Sequence, residues 1–284
     1  MKVAVVIPVH GTPSQLNDLE ISSIRQIATI LKKYHISIVA PYGYDSNHFM
    51  ERTRLTIEID WVYFDSYYFE SVYTYSNLLV EAQFYQRFKT YKYILITQPD
   101  AWVFRDELVM WCSKGYDYIG APWFEGWNHG TGNYKTIGVG NGGFSLRNVR
   151  TALKVIQRLY YLRKFQSGWN KLHLFKLFSF EKVVGLLQKP LRIKDVALLL
   201  EAIKPITKFE DYYWTEIAGA AFHDFRTAPI DDAMLFSFEV NPSYLYELNN
   251  RKLPFGCHAW EKYEPEFWQQ FINERNTEET NELS

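Results

Sequence analysis

Val3-Ala4-Val5-Val6-Ile7-Pro8-Val9, closed by His10-Gly11-Thr12-Pro13, is the stretch on which the fold turns. Its apolar run falls well short of the about 20 residues that a membrane-spanning helix requires. Pro8 and His10 interrupt it and no small-residue cleavage site follows, so it reads as a buried strand rather than a signal peptide. Working outward, Ile21, Ile24, Ile27, Ala28 and Leu31 recur at helical spacing before a second apolar run, Ile36–Ala40. A third run, Ile57–Phe64, precedes a helical pattern through Leu78, Leu79, Ala82, Phe84 and Phe88, and Tyr93–Thr97 is again strand-like. Strands alternating with helices predict an α/β fold, a mixed and mostly parallel sheet with helices on both faces. Such sheets bind ligands at the carboxyl ends of their strands. Pro8 and His10, which close the first strand, are therefore candidate substrate-binding residues.

Composition bounds the rest. In 284 residues, 47% hydrophobic and 22% charged side chains exclude disorder, collagen and coiled coil as descriptions of the whole. A net charge of −1 gives no reason to expect nucleic acid. That average hides an asymmetry: residues 150–208 hold thirteen Lys or Arg against three acids, a local +10 that leaves −11 for the remainder. With Tyr160, Tyr161, Phe165, Trp169, Phe175, Phe178 and Phe180 interleaved, this reads as a basic helical insertion over about 151–207. Two readings stay open for it: a segment resting on an anionic membrane, or a helical lid whose rings pack on the main domain. Cys112 and Cys257 form no CxxC pair, so neither a disulfide scaffold nor a structural zinc site is expected, and a cytoplasmic location, peripheral on the inner face of a membrane, fits. The aromatic share is high at 18%, and rings with a polar handle suit sugar faces. The polar end of the chain, 271–284, is expected to be a disordered tail.

Four stretches carry chemistry. The strand Tyr93–Thr97 runs into Gln98-Pro99-Asp100-Ala101-Trp102-Val103-Phe104, which puts the Asp100 carboxylate at the ligand edge, placed either to hold a hard divalent cation or to cap a helix starting near Asp106. Gly138-Val139-Gly140-Asn141-Gly142-Gly143-Phe144-Ser145 contains GxGxxG, but no acid follows about twenty residues on, so the dinucleotide reading falls. Its glycines still allow close backbone approach to a ligand, and Asn141 either bonds a sugar hydroxyl or serves a turn. Glu210-Asp211, before Tyr212-Tyr213-Trp214, supplies either a general base in a partly dry pocket or charges for a helix N-terminus. His258, in Pro254-Phe255-Gly256-Cys257-His258-Ala259-Trp260, either completes a metal site with Asp100 or is a satisfied polar residue.

Taken together, Gln98-Pro99-Asp100-Ala101-Trp102-Val103-Phe104, Tyr116-Asp117-Tyr118-Ile119-Gly120-Ala121-Pro122-Trp123, Gly140-Asn141-Gly142-Gly143-Phe144-Ser145-Leu146-Arg147, Phe236-Ser237-Phe238-Glu239 and Pro254–Trp260 resemble a bacterial and lower-eukaryotic domain-of-unknown-function group. That group is related to nucleotide-sugar-dependent glycosyltransferases of the GT-A fold, and the resemblance runs from about residue 3 to 268. It implies a single GT-A-like domain over 1–270, with a nucleotide-binding half, 1–105, and an acceptor half, 106–270. It implies a hexosyltransferase-like activity, inverting and dependent on Mn²⁺ or Mg²⁺, with a nucleotide-diphosphate sugar donor and a glycan or lipid-linked acceptor. Asp100 matches the last carboxylate of the family's DxD motif, Gln98 stands where the first would be, and His258 fits the C-terminal metal ligand. Gly142-Gly143-Phe144-Ser145 resembles the stretch lining donor sugar and acceptor; Gln98 can still bond a ribose hydroxyl, Asn141 is a candidate for a sugar hydroxyl, and Trp102, Trp123 and Trp127 would supply stacking faces for sugar rings. Asp211 matches the base, with Glu210 and Glu239 as substitutes. The alternatives are a sugar- or nucleotide-binding protein without turnover, and a nucleotidyltransferase.

Overall fold

The computed structural model describes residues 2–127, 134–171, 179–207 and 209–272. Eleven strands lie in these segments: β1 (Val3–Pro8), β2 (His35–Pro41), β3 (Ile59–Phe64), β4 (Tyr93–Thr97), β5 (Trp102–Val103), β6 (Tyr118–Ile119), β7 (Pro122–Phe124), β8 (Thr136–Val139), β9 (Phe144–Asn148), β10 (Ser237–Phe238) and β11 (Gly256–Cys257). Six form the main sheet in the order β3-β2-β1-β4-β9-β6. The first four are parallel, and β9 runs antiparallel between β4 and β6. This is the expected α/β architecture, a mostly parallel mixed sheet with helices on both faces. β6 and β9 come from beyond residue 105 and complete the sheet begun by the first half of the chain.

The β1 run is apolar at every position because both faces of the sheet are covered. Val3, Val5 and Ile7 enter one core with Ile24 and Ile27, whereas Ala4 and Val6 enter the other with Phe84 and Tyr85. The helix Asp18–Ile30 is started by a reciprocal cap in which Asn17 Oδ1 accepts from the Glu20 amide and Glu20 Oε2 from the Asn17 amide, both at 2.8 Å. The helix expected through Leu78–Phe88 is two short ones, Val72–Leu78 and Ala82–Arg87, split where Glu81 takes extended backbone. A third core, around Trp102, Phe238, Trp260 and Trp268, lies beneath the small β10-β11-β5 sheet.

The insertion departs from expectation. The helix Val149–Lys171 buries Val149, Ala152, Val155, Leu159 and Leu162 in the second core, so its first half is part of the fold rather than an appendage. Two of its cations are spent internally. Arg158 forks onto Asp224 at 2.6 and 2.8 Å, and Arg163 donates to the carbonyls of Ala202, Ile203 and Lys204, closing the C-terminus of the helix Val196–Ala202. At the far end of the chain, 271 and 272 continue a helix and Ile272 is buried in the third core, contrary to a tail beginning at 271; residues 273–284 lie outside the described segments. Among the described residues no helix is long and apolar enough to cross a membrane, and both cysteines are buried and free.

Candidate functional site

The parallel strands β1 and β4 lie side by side and end on the same edge of the sheet. Beyond their ends opens a cavity of about 310 Å³, whose wall includes Pro8, His10, Gln98 and Asp100 together with Ser71 and Tyr75. Four residues expected at the ligand edge are thus brought together. Asp100 caps no helix among the described residues; the helix Leu108–Ser113 has Glu107 at its N-cap position, and Asp106 Oδ1 accepts from the Leu108 amide at 3.2 Å.

Asp100 faces His258 instead. The imidazole Nε2 lies 3.2 Å from Asp100 Oδ1 and 3.0 Å from Gln98 Oε1, and Nδ1 lies 2.9 Å from Glu239 Oε1. β5 pairs with β11 and β11 with β10, which brings the chain after β4, the stretch after β10 and His258 into one cluster. Burial pushes the Asp100 carboxyl up, but His258 outweighs burial and holds it below the usual carboxylate range. For His258 burial opposes the charge, yet Asp100 and Glu239 outweigh it and hold the imidazole well above its usual pKa. Glu239 is therefore the orienting partner of His258, in the position from which an acid fixes a metal-ligating imidazole.

Among the described residues no three His, Cys, Asp or Glu side chains form a group able to hold a metal ion. The donor set nonetheless fits a cation shared with a ligand. With Nδ1 engaged by Glu239, Nε2, once a cation displaces its proton, and the Asp100 carboxylate would offer one nitrogen and one oxygen, a mixture Mn²⁺ accepts. Mg²⁺ too is commonly held by one or two carboxylates, substrate phosphates and water.

On the other side of this cluster stands the Gly-rich turn before β9. Asn141 sits in the left-handed region at φ 67°, and its Oδ1 accepts from the amides of Gly143 (3.0 Å) and Phe144 (3.4 Å). Its side-chain oxygen thus builds the turn and the residue is buried, while its Nδ2 has no hydrogen-bond partner among the described residues. Gly142 and Gly143 are spacers. A Cβ on Gly142 would overlap the Glu210 carboxylate, and one on Gly143 would overlap His258 Nε2. The Gly143 carbonyl accepts from the Gln98 amide at 2.7 Å, tying the turn to the end of β4. Gly143→Ala is expected to push the imidazole off Asp100 and so lower the His258 pKa in an NMR titration; an unaltered titration would contradict this close packing.

The two acids part ways. Glu210 is buried and paired with Arg147 Nη2 at 2.8 Å, and its second oxygen accepts from Ser76 Oγ at 3.2 Å. Its charge is held in a buried ion pair with Arg147, which sets it apart from Asp211. Asp211, one residue on, accepts from the Asn141 amide at 3.0 Å through Oδ2 and from the Tyr212 amide at 2.8 Å through Oδ1. Burial, then the neighbouring Glu210 charge, push its carboxyl up to about 7. The helix beneath widens into π geometry over Tyr213–Ala218, a distortion often found at functional sites.

Arg147 is the residue that sequence reasoning missed. It lies on β9 and is 1% exposed, with Nε donating to Ser145 Oγ at 3.0 Å and its guanidinium 5.1 Å from the Tyr118 ring centre. The available signal was the alternation Phe144, Ser145, Leu146, Arg147, in which a cation at a strand position needs a buried acid.

Trp102 and Trp123 leave the candidate subsite. Trp102 is 1% exposed and packs edge-on against Trp260, and Trp123 is 6% exposed, stacked on Tyr212 and filling the space left by the missing Cβ of Gly140. Neither presents a free face to a sugar. Trp214 and Trp260 are likewise buried, and the side chain of Trp127 lies outside the described residues.

A family model described as a protein of unknown function, DUF5672, matches residues 58–258. No curated protein matches the chain. Among solved structures, core-mannan synthase A from Aspergillus fumigatus in its Mn/GDP form is 12% identical, with 53% of this chain and 60% of that chain covered and a TM-score of 0.39. The mannosyltransferase Ktr4p from S. cerevisiae in complex with GDP is 13% identical, with 55% and 60% covered and a TM-score of 0.38. A glycosyltransferase involved in the glycosylation of the major capsid of PBCV-1 is 9% identical, with 96% and 100% covered and a TM-score of 0.47. This chain spans 60% of the length of each of the two fungal structures.

Proposed function

The chain belongs to the DUF5672 family, and from its own site we propose that it is a nucleotide-sugar-dependent glycosyltransferase, inverting and cation-assisted, acting on a glycan or lipid-linked hydroxyl acceptor. One observation carries the reading: Gly142 and Gly143 separate an acid pair from an acid–histidine cluster at the rim of a ligand-edge cavity, and burial and Glu210 push the carboxyl of Asp211, the member of the pair outside the Arg147 ion pair, up to about 7. A base is most effective with a pKa close to the working pH.

Asp211 takes the proton as the acceptor hydroxyl oxygen bonds to the anomeric carbon. The bond from that carbon to the diphosphate oxygen breaks, and its electron pair leaves with the nucleoside diphosphate. A single displacement of this kind inverts the anomeric centre. Gln98 and His10 line the cavity, and in this reading they bond the donor's ribose and phosphate oxygens. When bound, a Mn²⁺ or Mg²⁺ ion on Asp100 and His258 supplies positive charge against the departing diphosphate. Glu239 holds the imidazole ring in place through Nδ1.

Thermal unfolding with a panel of nucleoside diphosphates and their sugars, with and without Mn²⁺, tests donor binding. A ligand at a hundred times its Kd stabilises by about 2.7 kcal/mol. At least one nucleotide is expected to raise the melting temperature more with Mn²⁺ than without, and Asp100→Ala is expected to remove the Mn²⁺-dependent part. The same rise in the Ala variant would contradict Asp100 as a ligand. Binding without release of nucleoside diphosphate would favour a binding protein, and pyrophosphate release from a nucleoside triphosphate a nucleotidyltransferase.

A further inference from the structure

Three of the insertion's exposed cations lie together in one place. With Arg158 and Arg163 bound internally, the exposed cations Lys189, Arg192 and Lys194 gather with His223 around a cavity of about 690 Å³. Gln188 and Ile193 complete its wall. Beside it runs an apolar groove of about 250 Å³ between the helices Val149–Lys171 and Gln188–Leu191, walled by Tyr161, Leu162, Phe165, Leu187, Leu191 and Phe222.

The two features share their framework. Ile193 of the pocket pairs with Phe222 of the groove in an antiparallel bridge, and the His223 amide donates to the Arg192 carbonyl at 2.9 Å. The near acids are engaged elsewhere: Asp195 Oδ1 accepts from the Leu198 amide at 3.0 Å, and Arg158 holds Asp224 bidentately, with Arg192 Nε farther off at 3.8 Å. Large side chains around the groove face solvent: Leu186 is 82% exposed, Tyr161 61% and Phe165 40%. Basic residues bordering exposed Tyr, Phe and Leu are the composition of a membrane-surface contact, in which cations meet lipid phosphates and rings settle at headgroup depth.

We propose that this pocket and groove form a docking site for an anionic phospholipid surface, with headgroup phosphates at Lys189, Arg192, Lys194 and His223 and the lipid's apolar part at Tyr161, Phe165 and Leu187. Charge complementarity selects this occupant: the site lies in a +10 segment of a chain whose net charge is −1. A free phosphate would satisfy the cations alone and leave the exposed Leu186 and Tyr161 without a role. The pocket and groove share no lining residue with Asp100, Asp211 or His258, and the inference does not depend on the reaction proposed above.

Sedimentation of the full chain with phosphatidylcholine vesicles, with and without phosphatidylglycerol, tests it. Retention is expected only with phosphatidylglycerol, weakening as salt is raised. The triple variant Lys189→Glu, Arg192→Glu, Lys194→Glu is expected to bind at least about tenfold more weakly, since each cation near an anionic surface contributes. Leu186→Ser, at a fully surface-facing position, is expected to weaken retention on the same vesicles, and both variants should melt as the parent does. Equal retention on neutral vesicles, or undiminished retention of the triple variant, would overturn the proposal. So would binding of inorganic phosphate without vesicle retention, or a dimer lost in the triple variant without vesicle retention.

Discussion

Asp211→Asn is expected to retain binding of the donor nucleotide and to lose about a hundred- to ten-thousand-fold in transfer rate, the contribution of a positioned general base. The amide has nearly the carboxylate's shape and keeps an acceptor oxygen for one of the Asn141 and Tyr212 amides, but it cannot accept the acceptor's proton. In the parent protein the carboxyl is pushed up to about 7 by burial and by the adjacent Glu210. A base works only when ionised, so kcat/KM should rise with pH through about 7 and level off above it. The Asn variant's residual rate should lack that limb. An unchanged rate in Asp211→Asn, or a rate that falls on the alkaline side of the same midpoint, would remove Asp211 from the role of base. Glu210→Gln should behave differently, with its main effect on stability, because Glu210 faces Arg147 rather than the cleft.

Arg147→Met is the variant expected to damage the fold most. It leaves the Glu210 carboxylate buried with Ser76 as its remaining polar partner, and breaking a buried pair by removing one member costs about 3–5 kcal/mol. The guanidinium also bridges β9 to Tyr85 on the opposite helix at 3.4 Å and to the Gly142 carbonyl at 3.4 Å, so its loss loosens the turn that spaces the two acidic clusters. Urea unfolding at neutral pH measures the effect. Removing both charges, with Arg147→Met and Glu210→Gln together, should be less destabilising than Arg147→Met alone, since the uncompensated charge is gone. Strictly additive losses would show that the pair is not coupled as the 2.8 Å contact implies.

The parts of the fold that the sequence announces are those where burial leaves no choice. β1 and β4 are apolar on both faces because helices cover both, and their runs end where the chain must leave the sheet, at Pro8 and Gln98. β9 is hidden because Ser145 and Arg147 alternate with Phe144 and Leu146, a pattern that ordinarily marks a face in water; here the polar side meets a buried acid on a segment 63 residues away. Such partners are invisible until the chain is folded.

The site divides along the same line. Pro8, His10, Gln98 and Asp100 fall together because strand ends in a parallel sheet must converge, and His258 joins them through the pairing of β5 with β11. Which of Glu210 and Asp211 is held in an ion pair is decided by Arg147 and cannot be read from two adjacent acids. The tryptophans mislead for a different reason. A ring large enough to stack on a sugar is also the largest thing available to fill a core, and Trp102, Trp214 and Trp260 do the latter. The insertion likewise splits by helical face: apolar positions from Val149 to Leu162 are core, and the rings and cations left on the surface lie largely beyond them.

The most direct measurement is the anomeric configuration of the product, read by proton NMR from a reaction with whichever nucleotide sugar the thermal screen identifies. A product inverted relative to the donor, formed with one nucleoside diphosphate released per sugar transferred, is the result expected of a single displacement with Asp211 as base. A retained configuration, or a bound donor that is never turned over, would contradict it.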